Sequence, residues 1–387
     1  MKILIAHNQY QARGGEDVVF EAEAALLAEA GHRVETLVVN NDTIDSFSAR
    51  VRTMLATADN PDGKRAMAEA IDRFSPDVVH VHNYFPLLSP AVFDVCRQKG
   101  VPAVATLHNF RSICVGGMLL RDGQICHKCL DTTNLWGVVH RCYRDSFAGS
   151  AASAWMISSH QRRGTWTRPG LRLIALSRFA REVFIKSGFR AEAIDVKPNF
   201  LRDPGEPDFS QPRQGLLYVG RLSREKGVAV LVKAAAKAGC TLRIAGEGPE
   251  LAALRAEATD NVTFLGAISR DQVMAEMARA TALVVPSLWY EGFPMVIAEA
   301  FARATPVIAS ALGGLAEIVE DGRTGGLAAP GDVNDLTFKI LEFNNKAGFA
   351  AECGRTAREA YLRSYTPETN LRQLESIYRS ATGSADR

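Results

Sequence analysis

The sequence predicts two doubly wound α/β domains, and three observations carry that prediction. Short β-branched runs alternate with longer helical patterns along the whole chain, the mark of parallel sheets with helices on both faces. A length of 387 residues suits two or three domains at about 150 residues each. Between two similar halves lies "LRDPGEPDFSQPRQG" (201–215), polar and rich in Pro, Gly and Asp, which reads as a linker.

In the first half, strands are expected at 2–6 (KILIA), 33–39 (RVETLVV), 77–82 (DVVHVH), 103–108 (AVATLH), 171–177 (LRLIALS) and 193–199 (AIDVKPN). A helix is expected over 16–31, with Gly31 as its stop. The second half repeats the rhythm at 215–220, 241–246, 261–266, 281–287, 305–310 and 325–330. Helices fill the gaps, among them "VAVLVKAAAKAG" and "MVIAEAFARA". The expected division is 1–204, 205–365, and a last helix in 366–387 crossing back to the first domain. Ligands of such sheets gather at the carboxyl ends of the strands, so two facing domains predict a cleft between them.

Composition narrows the function classes. An apolar fraction of 47% and a charged fraction of 23% are those of a globular protein, and a net charge of +2 speaks against nucleic acid as partner. Residues 101–200 nevertheless carry 14 Lys/Arg against 6 Asp/Glu, a local surplus suited to a phosphorylated ligand or an anionic membrane. No run of about 18 apolar residues predicts a membrane span. The apolar core after Met1 is too short for a signal peptide, so a cytoplasmic, reducing location is expected, where seven cysteines need not pair.

Four stretches that follow strands could carry chemistry. "VGRLSREKG" (219–227) sets Arg221 and Lys226 around a loop that opens a helix, either a phosphate site or a basic solvated loop. "AGEGPE" (245–250) is a glycine turn at Gly246. "YEGFPMVIAEA" (290–300) places Glu291 past a strand and Glu299 inside an apolar helix. Glu299 either pairs with Arg303 four residues on or, buried, needs hydroxyl, amide or cationic partners, and sugar hydroxyls would serve. "ARGGEDVV" (12–19) offers a glycine loop at Gly14 and Gly15 before free helix amides. His82 and His108 end strands. His80 with His82 has a metal-like spacing, but no carboxylate stands nearby in sequence to complete it. Walker, G-x-G-x-x-G and Asp-x-Asp patterns are absent from the sequence.

Taken together and in this order, these residues resemble the family 4 retaining glycosyltransferases of GT-B fold. The match is specific across 215–331 ("VGRLSREKG", "IAGEGPE", "YEGFPMVIAEA", "TPVIAS", "GGLAEIV", "DGRTGGLAAPGD") and looser before it ("GGE", "PDVVHVH", "TLHN", "ALSRF", "PN"). The resemblance implies two facing Rossmann-like domains, the first on the acceptor side and the second holding the donor. It implies that Arg221 and Lys226 clamp a donor diphosphate, that Glu299 binds ribose hydroxyls and that Glu291 contacts the donor sugar. Gly220, Gly246, Gly292, Phe293, Pro294 and Met295 would line the donor, Gly15 would approach its phosphate, and His108 would touch its sugar. A UDP- or GDP-type donor, a glycan or lipid-linked acceptor, and no catalytic metal follow from the same resemblance. Two other readings stay open: a sugar-nucleotide epimerase, and a non-catalytic sugar-nucleotide binder.

Residues 111–147 depart from the family pattern. Cys114, Cys126, Cys129 and Cys142 form C-x11-C-x2-C-x12-C, close to structural zinc spacing, with reduced unliganded thiols as the other reading. Next to it, 155–172 interleaves Trp155 and Trp166 with Arg162, Arg163, Arg168 and Arg172. That segment is expected either at an anionic membrane, at the inner face of the cell membrane, or as a solvated helix.

Overall fold

The computed structural model describes residues 1–11, 14–208, 210, 212–346 and 348–383. It divides into two compact units. The first comprises Met1–Arg121, Cys126–Pro198 and the segment from Asn370 on; the second comprises Asp122–Ile125 and Asn199–Thr369.

The first unit begins with β1 (Lys2–Gln9), α1 (Gly15–Glu29), β2 (Arg33–Asn40), α2 (Phe47–Ala56), α3 (Pro61–Phe74) and β3 (Val78–Asn83). It continues through α4 (Val92–Gln98), β4 (Ala103–Leu107) and a small hairpin of β5 (Leu120–Arg121) and β6 (Gln124–Ile125), whose tip groups with the second unit. Then come α5 (Lys128–Asp131), α6 (Leu135–Val139), α7 (Phe147–Arg162), β7 (Leu171–Ala175), α8 (Arg178–Lys186) and β8 (Ile194–Val196). Its main sheet is parallel throughout, in the order β2-β1-β3-β4-β7-β8.

The second unit holds β9 (Leu216–Val219), α9 (Val228–Ala238), β10 (Leu242–Ala245), α10 (Leu251–Glu257), β11 (Val262–Gly266), α11 (Arg270–Arg279) and β12 (Ala282–Val285). It closes with α12 (Met295–Ala302), β13 (Val307–Ser310), α13 (Leu315–Ile318), β14 (Gly325–Ala328), α14 (Val333–Asn345) and α15 (Phe349–Ser364). Its sheet is also parallel, in the order β11-β10-β9-β12-β13-β14. The final helix, α16 (Pro367–Thr382), returns the chain to the first unit.

Why these elements form can be read locally. The central strands are buried on both faces, so their sequences are continuous apolar runs rather than alternating ones; β4 and β12 have no exposed residue. Helix ends carry their caps. Asn60 accepts from the amides of Asp62 and Gly63 ahead of Pro61, and Ser269 with Gln272 forms a capping box on α11. Helix α1 ends two residues before Gly31, whose φ of +85° takes the left-handed position that stops it. In the first core, Leu374, Ile377 and Tyr378 of α16 pack with Ile3, Ile5, Val78, Val104 and Ile174.

The chain changes unit at 198/199 rather than at 204/205. The start of the expected linker is anchored instead of free. Tyr361 Oη donates to the Leu201 carbonyl at 2.9 Å, and Arg358 grips the Asp203 carboxylate at 2.8 and 2.7 Å. Phe209 and Gln211 of that stretch lie outside the described residues.

Candidate functional site

The strand order of the second unit reverses between β9 and β12, and ligands of open α/β sheets bind at such a crest. The loop after β9 carries Gly220, Arg221 and Lys226, and the loop after β12 carries Ser287 and Glu291. Two glycines let these loops settle against their neighbours. A Cβ on Gly246 would lie 1.9 Å from the Gly220 carbonyl oxygen, and one on Gly227 would lie 2.0 Å from that of Pro286. Both have positive φ, +143° and +69°, so the sequence has glycine where another residue would push the crest apart.

At this crest Lys226 Nζ donates to both oxygens of Glu291, at 2.8 and 3.1 Å. Ser287 Oγ donates to Glu291 Oε1 at 2.6 Å, and the Lys226 ammonium stands 5.4 Å from the Trp289 ring centre. Glu291 is buried, while Arg221, on the loop with Lys226, is exposed and makes no ion pair among the described residues. The Arg221 carbonyl accepts from Tyr218 Oη at 2.9 Å, which fixes the loop's backbone and leaves its side chain free.

Glu299 is the fifth residue of α12, whose N-cap is Pro294. Its side chain is 14% exposed, and its ion-pair partner is Arg270, at 3.8 Å. Pairing with Arg303, one of the two readings of the sequence, does not occur: Arg303 donates from Nη1 to the Pro204 carbonyl, and its Nε reaches the Met274 carbonyl. Burial raises the Glu299 pKa, and Arg270 offsets only part of that rise. The result is a half-buried carboxylate short of donors. Beside it, Phe293 is buried against Tyr365, with ring centres 5.4 Å apart, while Gly292, Pro294 and Met295 are half-buried around the start of α12.

Gly15 and His108 belong to the first unit. Gly15 is the first residue of α1, and a Cβ there would meet nothing within 4 Å; Ala12 and Arg13 of the same stretch lie outside the described residues. The loop around Gly14 is held by acids from the first turn of α1. Asp17 accepts from the Gly14 amide at 2.7 Å and from His7 Nε2 at 2.8 Å, and Glu16 takes bonds from Tyr10 Oη and Asn109 Nδ2, both at 2.8 Å.

His108 follows β4, with its Nε2 3.1 Å from Nδ1 of His82. Behind His82 stands Glu23 of α1, Oε2 to Nε2 at 3.4 Å, and the other Glu23 oxygen takes a 2.5 Å bond from Lys197. Burial opposes ionisation of Glu23, but Lys197 and His82 overcome it and hold its carboxyl well below the ordinary value. Burial, and after it the adjacent His82 ring, also lowers the pKa values of His80 and His108 against the opposing pull of Glu23.

The carboxylate missing from the sequence neighbourhood of His80 and His82 is therefore Glu23. The three donor atoms lie within 4.8 Å, the one such group among the described residues. Two facts oppose a metal there. Both ring nitrogens of His80 are engaged, at 2.8 Å to Tyr378 Oη and 2.8 Å to Thr106 Oγ1, and the Lys197 ammonium already occupies the Glu23 carboxylate. Glu23 and Lys197 had no sequence signal: a fully buried lysine is identified only once the fold places it.

Cys114, Cys126, Cys129 and Cys142 are all half-buried and free of disulfides. Burial, and after it the neighbouring Cys114 thiol, pushes the Cys129 thiol up to about 11, with Cys142 and Cys126 adding to the effect. Neither reading of the basic-aromatic segment, membrane face or solvated helix, describes all of it. Trp166 is core, packed between Phe93 and Phe189, and Arg163, Arg168 and Arg172 are paired with Asp59, Asp94 and Asp195. Arg162 stacks over the exposed Trp155.

Comparison with known proteins agrees with this division. Residues 14–199 match the glycosyl transferase 4-like domain, and residues 202–360 match the glycosyl transferases group 1. A glycogen synthase of Mycobacterium tuberculosis (strain H37Rv) is 35% identical over 337 residues, 82% of this chain and 72% of that protein. The N-acetyl-alpha-D-glucosaminyl L-malate synthase of Bacillus anthracis is 28% identical over 98% of this chain and 97% of its own length. Among solved structures, sucrose-phosphate synthase from Thermosynechococcus elongatus superposes with a TM-score of 0.75 at 21% identity, covering 99% of this chain and 100% of that one. HepE of Anabaena, in complex with UDP-glucose, gives a TM-score of 0.66 at 18% identity, covering 97% and 99%. With its two parallel-sheet units and both domain matches, the chain belongs to the group 1 glycosyltransferases and has the GT-B fold.

Proposed function

We propose that the protein is a retaining, hexosyltransferase-like enzyme. It moves a sugar from a UDP- or GDP-sugar to a hydroxyl of a glycan or lipid-linked glycan, in cell-surface polysaccharide synthesis at the cytoplasmic face of the membrane. One observation carries the reading: a single crest sets Lys226 against Glu291, carries the exposed Arg221 on the same loop, and close in sequence holds Glu299, a carboxylate short of donors. A sugar nucleotide supplies what each lacks, phosphate oxygens for the cations and hydroxyls for the carboxylates. The solved HepE relative holds UDP-glucose, which supports the choice of ligand class.

In this reading Lys226 and Arg221 meet the negative charge that grows on the leaving diphosphate. They are set in place before the reaction, so the transition state incurs little reorganisation. The acceptor hydroxyl attacks the anomeric carbon on the face the diphosphate leaves. The bond to the phosphate oxygen breaks, the new glycosidic bond forms, and the hydroxyl proton passes to that oxygen. Glu291, held by Lys226 and Ser287, turns a fixed acceptor toward the sugar, and Glu299 takes ribose hydroxyls.

The test is a screen of UDP-, GDP- and ADP-sugars for thermal stabilisation and slow hydrolysis, followed by NMR of the anomeric proton of the product. Stabilisation by one donor class and a product of unchanged anomeric configuration are expected. An inert protein that binds no sugar nucleotide would refute the proposal, and inversion would remove the retaining mechanism.

A specific surface favours a lipid-linked acceptor. Phe47 and Leu55 on α2, Leu135 and Val139 on α6, and Phe147 and Trp155 on α7 are between 58% and 81% exposed, on helices of which α7 packs against both others. Exposed Arg50, Arg52, Arg141, Arg144 and Arg162 lie on or beside these helices. Exposed apolar side chains with arginines on the same and adjoining segments suit the interface of an anionic bilayer. Flotation with phosphatidylglycerol-containing vesicles should carry the protein, and Phe47→Ser with Leu55→Ser and Trp155→Ser should leave it behind. Absence of flotation by the parent protein ends the lipid reading without touching the donor site.

A further inference from the structure

We infer that Cys114, Cys126, Cys129 and Cys142 form a zinc site that ties down the segment following His108. The backbone brings the turns that carry Cys114 and Cys142 together around one residue, Gly137. Its amide donates to the Asn134 carbonyl at 3.1 Å, its carbonyl accepts from the Cys142 amide at 2.9 Å, and its helix, α6, packs against α5, which carries Cys129. Its Cα faces Val115, next to Cys114, so closely that a Cβ would lie 2.5 Å from Val115 Cβ. From the other side, a Cβ on Gly116 would lie 3.1 Å from the Cys142 carbonyl oxygen and 3.6 Å from Cys142 Cβ. The turn with Cys114 and the helix end with Cys142 are thus in direct contact through two glycines.

The remaining pair arrives on the hairpin. The Cys126 amide donates to the Leu119 carbonyl at 2.8 Å as β6 ends, and Cys129 lies in the short helix α5 just after it. Four sulfurs from two turns, one pair at C-x2-C spacing, are a complete tetrahedral donor set for zinc, whereas catalytic zinc keeps an open position. The site is structural.

The segment also shows why it needs a cross-link. Its regular structure consists of β5 and β6 at two residues each, α5 at four and α6 at five. Of the eight non-glycine residues with positive φ among the described residues, five fall here: Leu119, Asp122, Arg141, Arg144 and Asp145. Backbone held in that region persists where the surroundings over-determine it, and short helices with little core do not supply that on their own. Three sulfurs are not found together within 4.8 Å, so metal binding draws the thiols inward from their positions here.

The test is metal analysis of the full-length protein, purified under reducing conditions without chelator from zinc-supplemented cells. About one zinc per chain is expected from four thiolates. Cys126→Ser and Cys129→Ser should each lose the zinc, while Cys96→Ser, Cys240→Ser and Cys353→Ser, whose thiols are buried elsewhere, should keep it. Should the cysteine variants fail to fold, cobalt exchanged into the parent protein should show the visible absorption and thiolate charge-transfer bands of a tetrahedral sulfur site. Zinc-free protein with four freely alkylated thiols in this segment overturns the inference. So does a disulfide among the four, or zinc that survives both Cys126→Ser and Cys129→Ser.

Discussion

The two units present crests of opposite character. In the first, most ionisable groups below the glycine loop are paired with one another, Lys197 with Glu23, His7 with Asp17, His80 with Tyr378 and Thr106, while His7 Nδ1, Glu23 Oε2 and His82 Nε2 make no hydrogen bond. In the second, Lys226 and Glu291 are paired, but Arg221 stands exposed and Glu299 has only a distant arginine. The same doubly wound plan therefore places buried charge in two ways. Charges that neutralise each other inside the protein hold a framework, whereas charges left short of partners at a crest are available to a ligand.

The comparison breaks most sharply at Lys226. Lys226→Ala is expected to lower kcat by about 10²–10³-fold, the loss of one preset group facing developing charge, and also to lower the melting temperature, because it leaves the buried Glu291 carboxylate with Ser287 alone. Release of nucleoside diphosphate measures it. A kcat within a few-fold of the parent would place the second crest with the first, as framework.

In the first unit the expectation is reversed. Lys197→Ala or Glu23→Ala strands a buried charge and should cost about 3–5 kcal/mol of stability in urea unfolding. The double change Glu23→Leu with Lys197→Met should recover much of the loss, because it removes both charges. If the single variants unfold like the parent, the pair is not the support described above. Acid should spare this pair longest. Glu23 has its pKa depressed, so its contribution is present above the unfolded value and is lost only as pH falls through the lower folded one.

Glu299→Ala should weaken donor binding by about 1–3 kcal/mol, the value of a lost partner for buried hydroxyls, and should not destabilise the ligand-free protein. Calorimetry with the donor found by screening tests both halves, and unchanged affinity removes the ribose role.

The smallest effect is in pH. The Glu299 pKa is raised by burial, so the stability linked to its protonation is fully present below the unfolded value and is lost as pH rises through the folded one. Ligand-free protein should accordingly gain a little stability on mild acidification, and Glu299→Gln should remove that slope. Donor affinity should move the other way, because only the ionised carboxylate accepts the ribose hydroxyls without giving up a lone-pair position. Equal slopes in parent and variant would show that Glu299 does not titrate in this range.

Much of the second crest was legible from the chain. Lys226 and Glu291 follow strands at recognisable glycine turns, and an acid inside "MVIAEAFA" stands out against its neighbours. What could not be read was who partners whom. Ser287 and Arg270 reach Glu291 and Glu299 from other positions, and Arg303, the obvious helical neighbour, turns away. In the first unit, Glu23 falls within the helix expected over 16–31 and Lys197 within the strand expected at 193–199. Their separation of 174 residues gives no local cue. The arginines of 162–172 show the converse: their spacing left a membrane face and a solvated helix open, and the acids that pair with Arg163, Arg168 and Arg172, at 59, 94 and 195, came from elsewhere in the fold.

By itself the sequence determined the alternation of strands and helices, the glycine turns above the second sheet and the family, because each depends on residues close together along the chain. Only the tertiary structure decided which charges are neutralised and which are left over, and which aromatic side chains face solvent. Those depend on distance and burial, and packing sets both between segments that share no sequence neighbourhood.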